Sequence, residues 1–195
     1  MEHPLKRIFY RKIQNELDGC ESVLDVGCGQ SSVIERLDKR FHAVGVDGYA
    51  PNIAESRRKG THDEYIFSDV MKVELPGKSF DGIISFELIE HLEKPDGARL
   101  LESMEGWAKK KIIITTPNGF VSQKGNENAL EEHKSGWTVD DFRQRGFTVR
   151  GLQGFKWLAR NENRFVKTLW YLSFPLVYLA PRASWRLLAV KEIVV

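Results

Sequence analysis

Seven short stretches rich in Val, Ile and Phe punctuate the chain, at residues 22–26, 41–46, 64–68, 80–86, 111–116, 147–152 and 185–194. Each is too short for an amphipathic helix and lies among Gly, Pro, Asn or Asp, so each reads as a strand. Between them the apolar residues fall three and four apart, which predicts helices. The first covers 4–17, with Pro4 in its first turn and Leu5, Ile8, Ile13 and Leu17 on much of one face; Asp18-Gly19 breaks it. Ser31 or Ser32 caps a second that reaches Lys39 and turns Val33, Ile34 and Leu37 inward. Pro51 opens a third over 51–59, and a fourth runs over 96–107 with Leu100, Leu101 and Met104 on one side. Thr138 caps a last one that Gly146 stops, and the polar residues 120–136 read as a long loop.

Strands alternating with helices of this length build βαβ units on a mostly parallel sheet, so the fold class is α/β, a three-layer αβα sandwich in a single domain. In such a sheet a ligand sits beyond the carboxyl ends of the strands, near the switch in strand order. Asp25 to Gly29, Asp47, Asp69, Glu87 and the loop after Thr116 all fall at strand ends of that kind. Their coincidence marks the candidate site, since a single acid at a strand end is usually a turn residue.

Composition narrows the class. Apolar residues at 42% and charged residues at 29% of 195 are globular values and exclude wholesale disorder. Cys20 and Cys28 make no disulfide framework and have no metal-ligand spacing, which fits a cytoplasmic, reducing compartment. Residues 1–19 are charged throughout and lack the apolar core of a secretory signal. The net charge of +2 is unevenly placed: residues 1–133 carry −5 and residues 134–195 carry +7. Residues 169–180 hold no charge, yet are too short to span a bilayer and are divided by Pro175.

The turn Gly27-Cys28-Gly29 follows a strand and precedes a helix signal, the setting in which glycines admit a ligand close to the backbone. A dinucleotide fingerprint would need a third glycine where Ser32 stands. Asp47 lies 20 residues beyond Gly27, where a carboxylate can accept both hydroxyls of a ribose. Taken in order, VLDVGCG at 23–29, GVD at 45–47, SD at 68–69 and FDGIISFELIEHL at 80–92 resemble the class I S-adenosylmethionine-dependent methyltransferase family over roughly residues 20–152. The segment Phe86 to Leu92 is similar to small-molecule members, the quinone-biosynthesis methyltransferases among them.

The resemblance implies S-adenosylmethionine as cofactor and a seventh strand antiparallel to the rest. It implies that Asp25, Gly27, Cys28 and Gly29 wall the methionine part. Asp47 with Gly48 would take the ribose, Asp69 and Val70 the adenine, and Phe86 and Glu87 the floor near the methyl. No Asn/Asp-Pro-Pro-Tyr motif follows strand four, which argues against a nucleobase or glutamine amide as acceptor.

A sulfonium methyl is already activated, so the protein's main task is alignment; a base is needed only where the acceptor keeps its proton. His91, four residues beyond Glu87, and His133, in the loop after strand five, are the candidates for that base. His62 reads as solvated. No metal is expected, because Glu87, Glu90 and His91 lack a His-x-x-x-His pair or paired cysteines beside them.

The insert 153–184 between strands six and seven is longer than a turn requires, so part of it should be helical. Its apolar stretch 165–182, rimmed by Lys156, Arg160, Arg164, Lys167, Arg182 and Arg186, reads as core cover, lid, dimer contact or peripheral membrane contact. The expected partners are a small or lipophilic acceptor methylated on O, N or C, with no nucleic acid, in a monomer or homodimer. A nicotinamide-dependent oxidoreductase and a non-catalytic cofactor-binding regulator are the alternatives.

Overall fold

The structure, a computed structural model, describes residues 4–38, 40–124, 128–159 and 163–194. Its strands are β1 (Ser22–Val26), β2 (His42–Asp47), β3 (Glu64–Phe67), β4 (Phe80–Phe86), β5 (Ala108–Pro117), β6 (Thr148–Phe155) and β7 (Ser184–Glu192). Its α-helices are α1 (Pro4–Glu16), α2 (Ala50–Lys59), α3 (Lys94–Trp107), α4 (Val139–Arg143), α5 (Arg164–Leu172) and α6 (Phe174–Leu179). The strands pair in the order β3-β2-β1-β4-β5-β7-β6. β1 runs parallel to β2 and β4, while β7 runs antiparallel to β6. This is the expected αβα architecture with one reversed strand. The order switches direction at β1, whose neighbours are β2 on one side and β4 on the other.

Two compact units divide the chain. The first holds Met1–Ser85, Leu100–Ile113 and Ile193–Val195; the second holds Phe86–Arg99 and Ile114–Glu192.

In the first unit, Val23, Leu24 and Val26 of β1 and Ala43, Val44 and Val46 of β2 are all buried. Burial without alternation is what a strand covered on both faces requires. Of the face expected on α1, Ile13 and Leu17 are buried but Ile8 is exposed, and the side chain of Leu5 lies outside the described residues. The helix expected after the glycine loop is a single 3-10 turn, Val33–Arg36. Ser32 does cap it, its Oγ accepting from Ile34 N–H at 3.1 Å, but the chain is extended again at Leu37. Ile34 alone of the turn is buried, so no apolar stripe rewards further winding. Lys39, the expected end of that helix, lies outside the described residues.

In the second unit the core gathers around Trp137, Phe142, Ile89, Val149, Leu187 and Leu188. The expected loop 120–136 contains one 3-10 turn, Ala129–Glu131, and no α-helix among its described residues. The insert is helical, as its length demanded, and Val177 of α6 is buried. Gly151 and Gly154 of β6 make this docking possible: a Cβ on Gly151 would overlap the Val177 carbonyl, and one on Gly154 the Trp170 carbonyl. Phe165, Leu172, Leu176 and Leu179 remain exposed. Among the described residues no helix is long and apolar enough to cross a membrane. Arg160, one of the basic residues of the insert, lies outside the described residues.

Candidate functional site

The first unit builds a cradle at the carboxyl ends of β1 and β2. Gly27 and Gly29 both take left-handed backbone, φ 74° and 57°, which a side chain would strain. The amides of Gly27 and Cys28 donate to the Val46 carbonyl at 2.8 and 2.9 Å, so the turn is stitched to the end of β2. Gly29 N–H donates to Asp47 Oδ2 at 2.9 Å, and Tyr49 N–H to Asp47 Oδ1 at 2.8 Å. Asp47 therefore spans the glycine turn and the start of α2. A Cβ on Gly29 would meet nothing nearer than Ser31 N at 4.0 Å, which leaves that face of the turn open to a ligand.

Asp25, near the end of β1, is buried and accepts from Ser32 Oγ at 2.5 Å and from His62 Nε2 at 3.0 Å. His62 is not solvated. Its side chain is fully buried, because the loop between α2 and β3 folds inward under β2. Cys28 is buried too, and burial, reinforced by the charges of Asp25 and Asp47, pushes its thiol far up, so it packs as a small apolar group rather than a nucleophile. Gly48 is half-buried. Asp69 is exposed, its Oδ1 accepting from Met71 N–H at 3.0 Å, and Val70 beside it is buried. Asp25, Gly27, Cys28, Gly29, Asp47, Gly48, Asp69 and Val70 thus all belong to one unit.

Phe86 and Glu87 belong to the second unit, and here the structure brings together residues that spacing did not. Glu87 holds left-handed backbone, φ 53°, an outlier for a non-glycine residue and a place where strain is stored. Its amide donates to the Thr115 carbonyl at 2.9 Å, and its Oε2 lies 3.1 Å from Arg186 Nε. Glu90, almost wholly buried, accepts from Thr116 Oγ1 at 2.9 Å. The Oε1 atoms of Glu87 and Glu90 are both buried without a hydrogen-bond partner. Burial pushes both carboxyls up, Glu90 to about 8 with help from the charge of Glu87, while Arg186 opposes the rise at Glu87.

The amides of Lys134 and Ser135 donate to the Glu90 carbonyl at 2.8 and 3.0 Å, which carries His133 back to His91. Their rings meet edge to face, 4.9 Å between centroids. His91 Nδ1 lies 3.2 Å from the Glu132 carbonyl and His133 Nδ1 2.6 Å from the Val121 carbonyl. Nδ1–H donated to a carbonyl leaves the lone pair of each ring on Nε2, the arrangement of a metal-ligating histidine. Burial lowers the His91 pKa, which favours the neutral, ligating form. One ligand atom from each of Glu90, His91 and His133 lies within 4.8 Å of the others. The expectation of no metal rested on sequence spacing; the fold supplies the missing histidine from a distant loop. An orphaned Glu90 oxygen beside two imidazoles fits a divalent cation.

The strand order, with a glycine turn after β1 and an acid at the end of β2, is that of a Rossmann-like fold. Residues 23–111 match the family model described as a methyltransferase domain. That match covers less than half of the chain and makes it similar to that family over those residues. It is 33% identical over 107 residues to an uncharacterized methyltransferase of Mycobacterium tuberculosis, covering 53% of this chain and 50% of that protein. It is 24% identical over 152 residues to a small RNA 2'-O-methyltransferase of Tetrahymena thermophila, covering 63% and 36%. It is 30% identical over 103 residues to a mitochondrial ubiquinone biosynthesis O-methyltransferase of Arabidopsis thaliana, covering 49% and 29%. The chain spans about half the length of the Mycobacterium relative and about a third of the other two.

Among solved structures, the small RNA methyltransferase HEN1 superposes with a TM-score of 0.63 at 17% identity, over 99% of this chain and 28% of that one. The relatives thus include RNA enzymes as well as a quinone enzyme. The narrower quinone-type resemblance does not stand apart from the rest, and the expectation of no nucleic acid is overturned. That expectation rested on a missing motif for nucleobase acceptors, which says nothing about acceptors on the ribose.

Proposed function

We propose that this chain transfers the methyl group of S-adenosylmethionine to a ribose 2'-hydroxyl of RNA, with a divalent cation held by Glu90, His91, His133 and Glu87. The observation that carries the reading is the buried, partnerless Glu90 oxygen in one cluster with two oriented imidazoles. A hydroxyl keeps its proton at neutral pH, so it needs help that an amine does not. Bound S-adenosylmethionine supplies a sulfonium methyl that needs no further activation. A bound cation supplies Lewis acidity, which lowers the pKa of a hydroxyl presented to it.

The chain's own residues do the rest. The open face of the Gly27–Gly29 turn receives the methionine part, with Cys28 packed beneath it; Asp47 and Gly48 meet the ribose; Asp69 and Val70 meet the adenine. Glu87 and Glu90 would contribute negative charge and His91 and His133 their Nε2 lone pairs to the cation, and the proton of the acidified hydroxyl would leave to water. The +7 charge of residues 134–195 favours a polyanionic acceptor.

A second reading, a phenolic hydroxyl of a small molecule, is supported by the 30% identity to the ubiquinone-pathway enzyme and uses the same cation. Titration of Mn2+ or Mg2+ into the protein tests the shared part. Saturable binding that Glu90→Gln abolishes is the expected result; no binding to the native protein contradicts it. Methyl transfer to RNA oligonucleotides against a panel of catechols then separates the two acceptors.

A further inference from the structure

The cofactor cradle depends on a buried histidine that no motif includes. His62 lies between α2 and β3, far along the chain from the glycine turn, yet its Nε2 is 3.0 Å from Asp25 Oδ2. A carboxylate only accepts, so Nε2 carries the proton and donates. On its other side Nδ1 faces Ser56 Oγ of α2 at 3.4 Å. Tyr65 fixes the ring from β3: its hydroxyl accepts from His62 N–H at 3.0 Å and donates to the Ser56 carbonyl at 2.7 Å. The two rings pack edge to face at 5.3 Å. Beneath β2 the imidazole and the Cys28 thiol fill the space that a side chain at Gly45 would need, 3.1 and 3.0 Å from its Cβ position. The imidazole therefore has little freedom to turn.

The second contact to Asp25 comes from Ser32, and it falls on the same oxygen, at 2.5 Å. Ser32 and His62 come from separate segments, one just after the glycine turn and one after α2. Both close on Oδ2, and neither uses Oδ1. Two donors on one oxygen fix the carboxylate's rotation and leave the other oxygen to face a ligand. Were packing the only task of His62, any apolar ring of that size would serve, and Asp25 would need no second donor.

We propose that His62 is a positioning residue for cofactor binding. With Ser32 it sets the rotation of Asp25, so that Oδ1 is presented to the cationic amino group of the cofactor's methionine part. This rests on the reading of the cradle as an S-adenosylmethionine site. The residue acts through Asp25 and touches neither cofactor nor acceptor.

Calorimetric titration of the full chain with S-adenosylmethionine, together with thermal melting, tests it. His62→Phe keeps the ring and removes the donor; the expected result is a loss of affinity of about tenfold, the scale of one hydrogen bond to a charged group. His62→Gln, which retains an amide donor, recovers most of that loss, and Ser32→Ala loses severalfold on its own. In Asp25→Asn the further change His62→Phe has little added effect, because the carboxylate it orients is gone. At saturating cofactor the His62→Phe variant keeps the native turnover rate, so the defect is confined to cofactor KM.

Unchanged affinity in a folded His62→Phe or Ser32→Ala variant overturns the proposal, as does a variant that melts earlier yet binds normally. If His62→Phe does not fold, Ser32→Ala and His62→Gln decide the matter alone. Failure of the native chain to bind S-adenosylmethionine at all would instead overturn the cofactor reading, and is distinguished by that control.

Discussion

In the proposed chemistry Glu90 is the central residue, and its titration is measurable. Burial and the charge of Glu87 push its carboxyl up to about 8, against about 4.3 for a free glutamate. Between those values the folded state holds a proton that the unfolded state has lost. Stability of the metal-free protein should then fall as pH rises from about 4.5 to about 8, and Glu90→Gln should flatten that slope in denaturant melts. Cation affinity should move the opposite way, rising to about pH 8, because the ion replaces the proton. A slope unchanged in Glu90→Gln would count against Glu90 as the titrating group.

At Asp47 the prediction concerns the cofactor. Asp47→Ala removes the acceptor of the Gly29 amide together with the proposed ribose contact, and should weaken S-adenosylmethionine binding by about 1–3 kcal/mol in calorimetry. At this scale the sequence was informative wherever a residue sits in a local motif. Gly27, Gly29 and Asp47 stand where their spacing placed them. His62 and His133 were opaque, since a loop histidine looks alike whether it points into solvent or back under a sheet.

Elements were legible where a single face decides the structure. The strand runs at 22–26 and 80–86 match β1 and β4 to the residue, because a strand covered on both faces must be apolar throughout. The turn after the glycine loop was not: Ser32 and the apolar triplet gave a helix signal, but only Ile34 finds burial and the winding stops at Arg36. The insert was half legible. Its length required structure, but the way it docks depends on two glycines of β6, Gly151 just before it and Gly154 at its start. Gly151→Ala drives a methyl into the Val177 carbonyl. It should destabilise the chain by about 1–3 kcal/mol, the cost of forced overpacking, read by chemical denaturation. Gly106→Ala, at a helical position with nothing near its Cβ site, should leave stability the same or raise it slightly.

For the whole molecule, charge divides at residue 133, with both candidate sites on the acidic side. The −5 of residues 1–133 includes Asp25, Asp47 and Asp69 of the cradle, and the +7 of residues 134–195 suits an acceptor that is a polyanion. RNA binding should therefore weaken steeply with added salt, whereas a small phenolic acceptor should show little salt dependence.

The most direct test of the central claim is methyl transfer from labelled S-adenosylmethionine to a small RNA, measured with and without divalent cation. The account predicts label on a ribose 2'-oxygen, lost on chelation, restored by Mn2+ or Mg2+, abolished in Glu90→Gln and absent from the matching DNA. Label unaffected by chelation, or no label on RNA from a chain shown to bind both cofactor and cation, would contradict it.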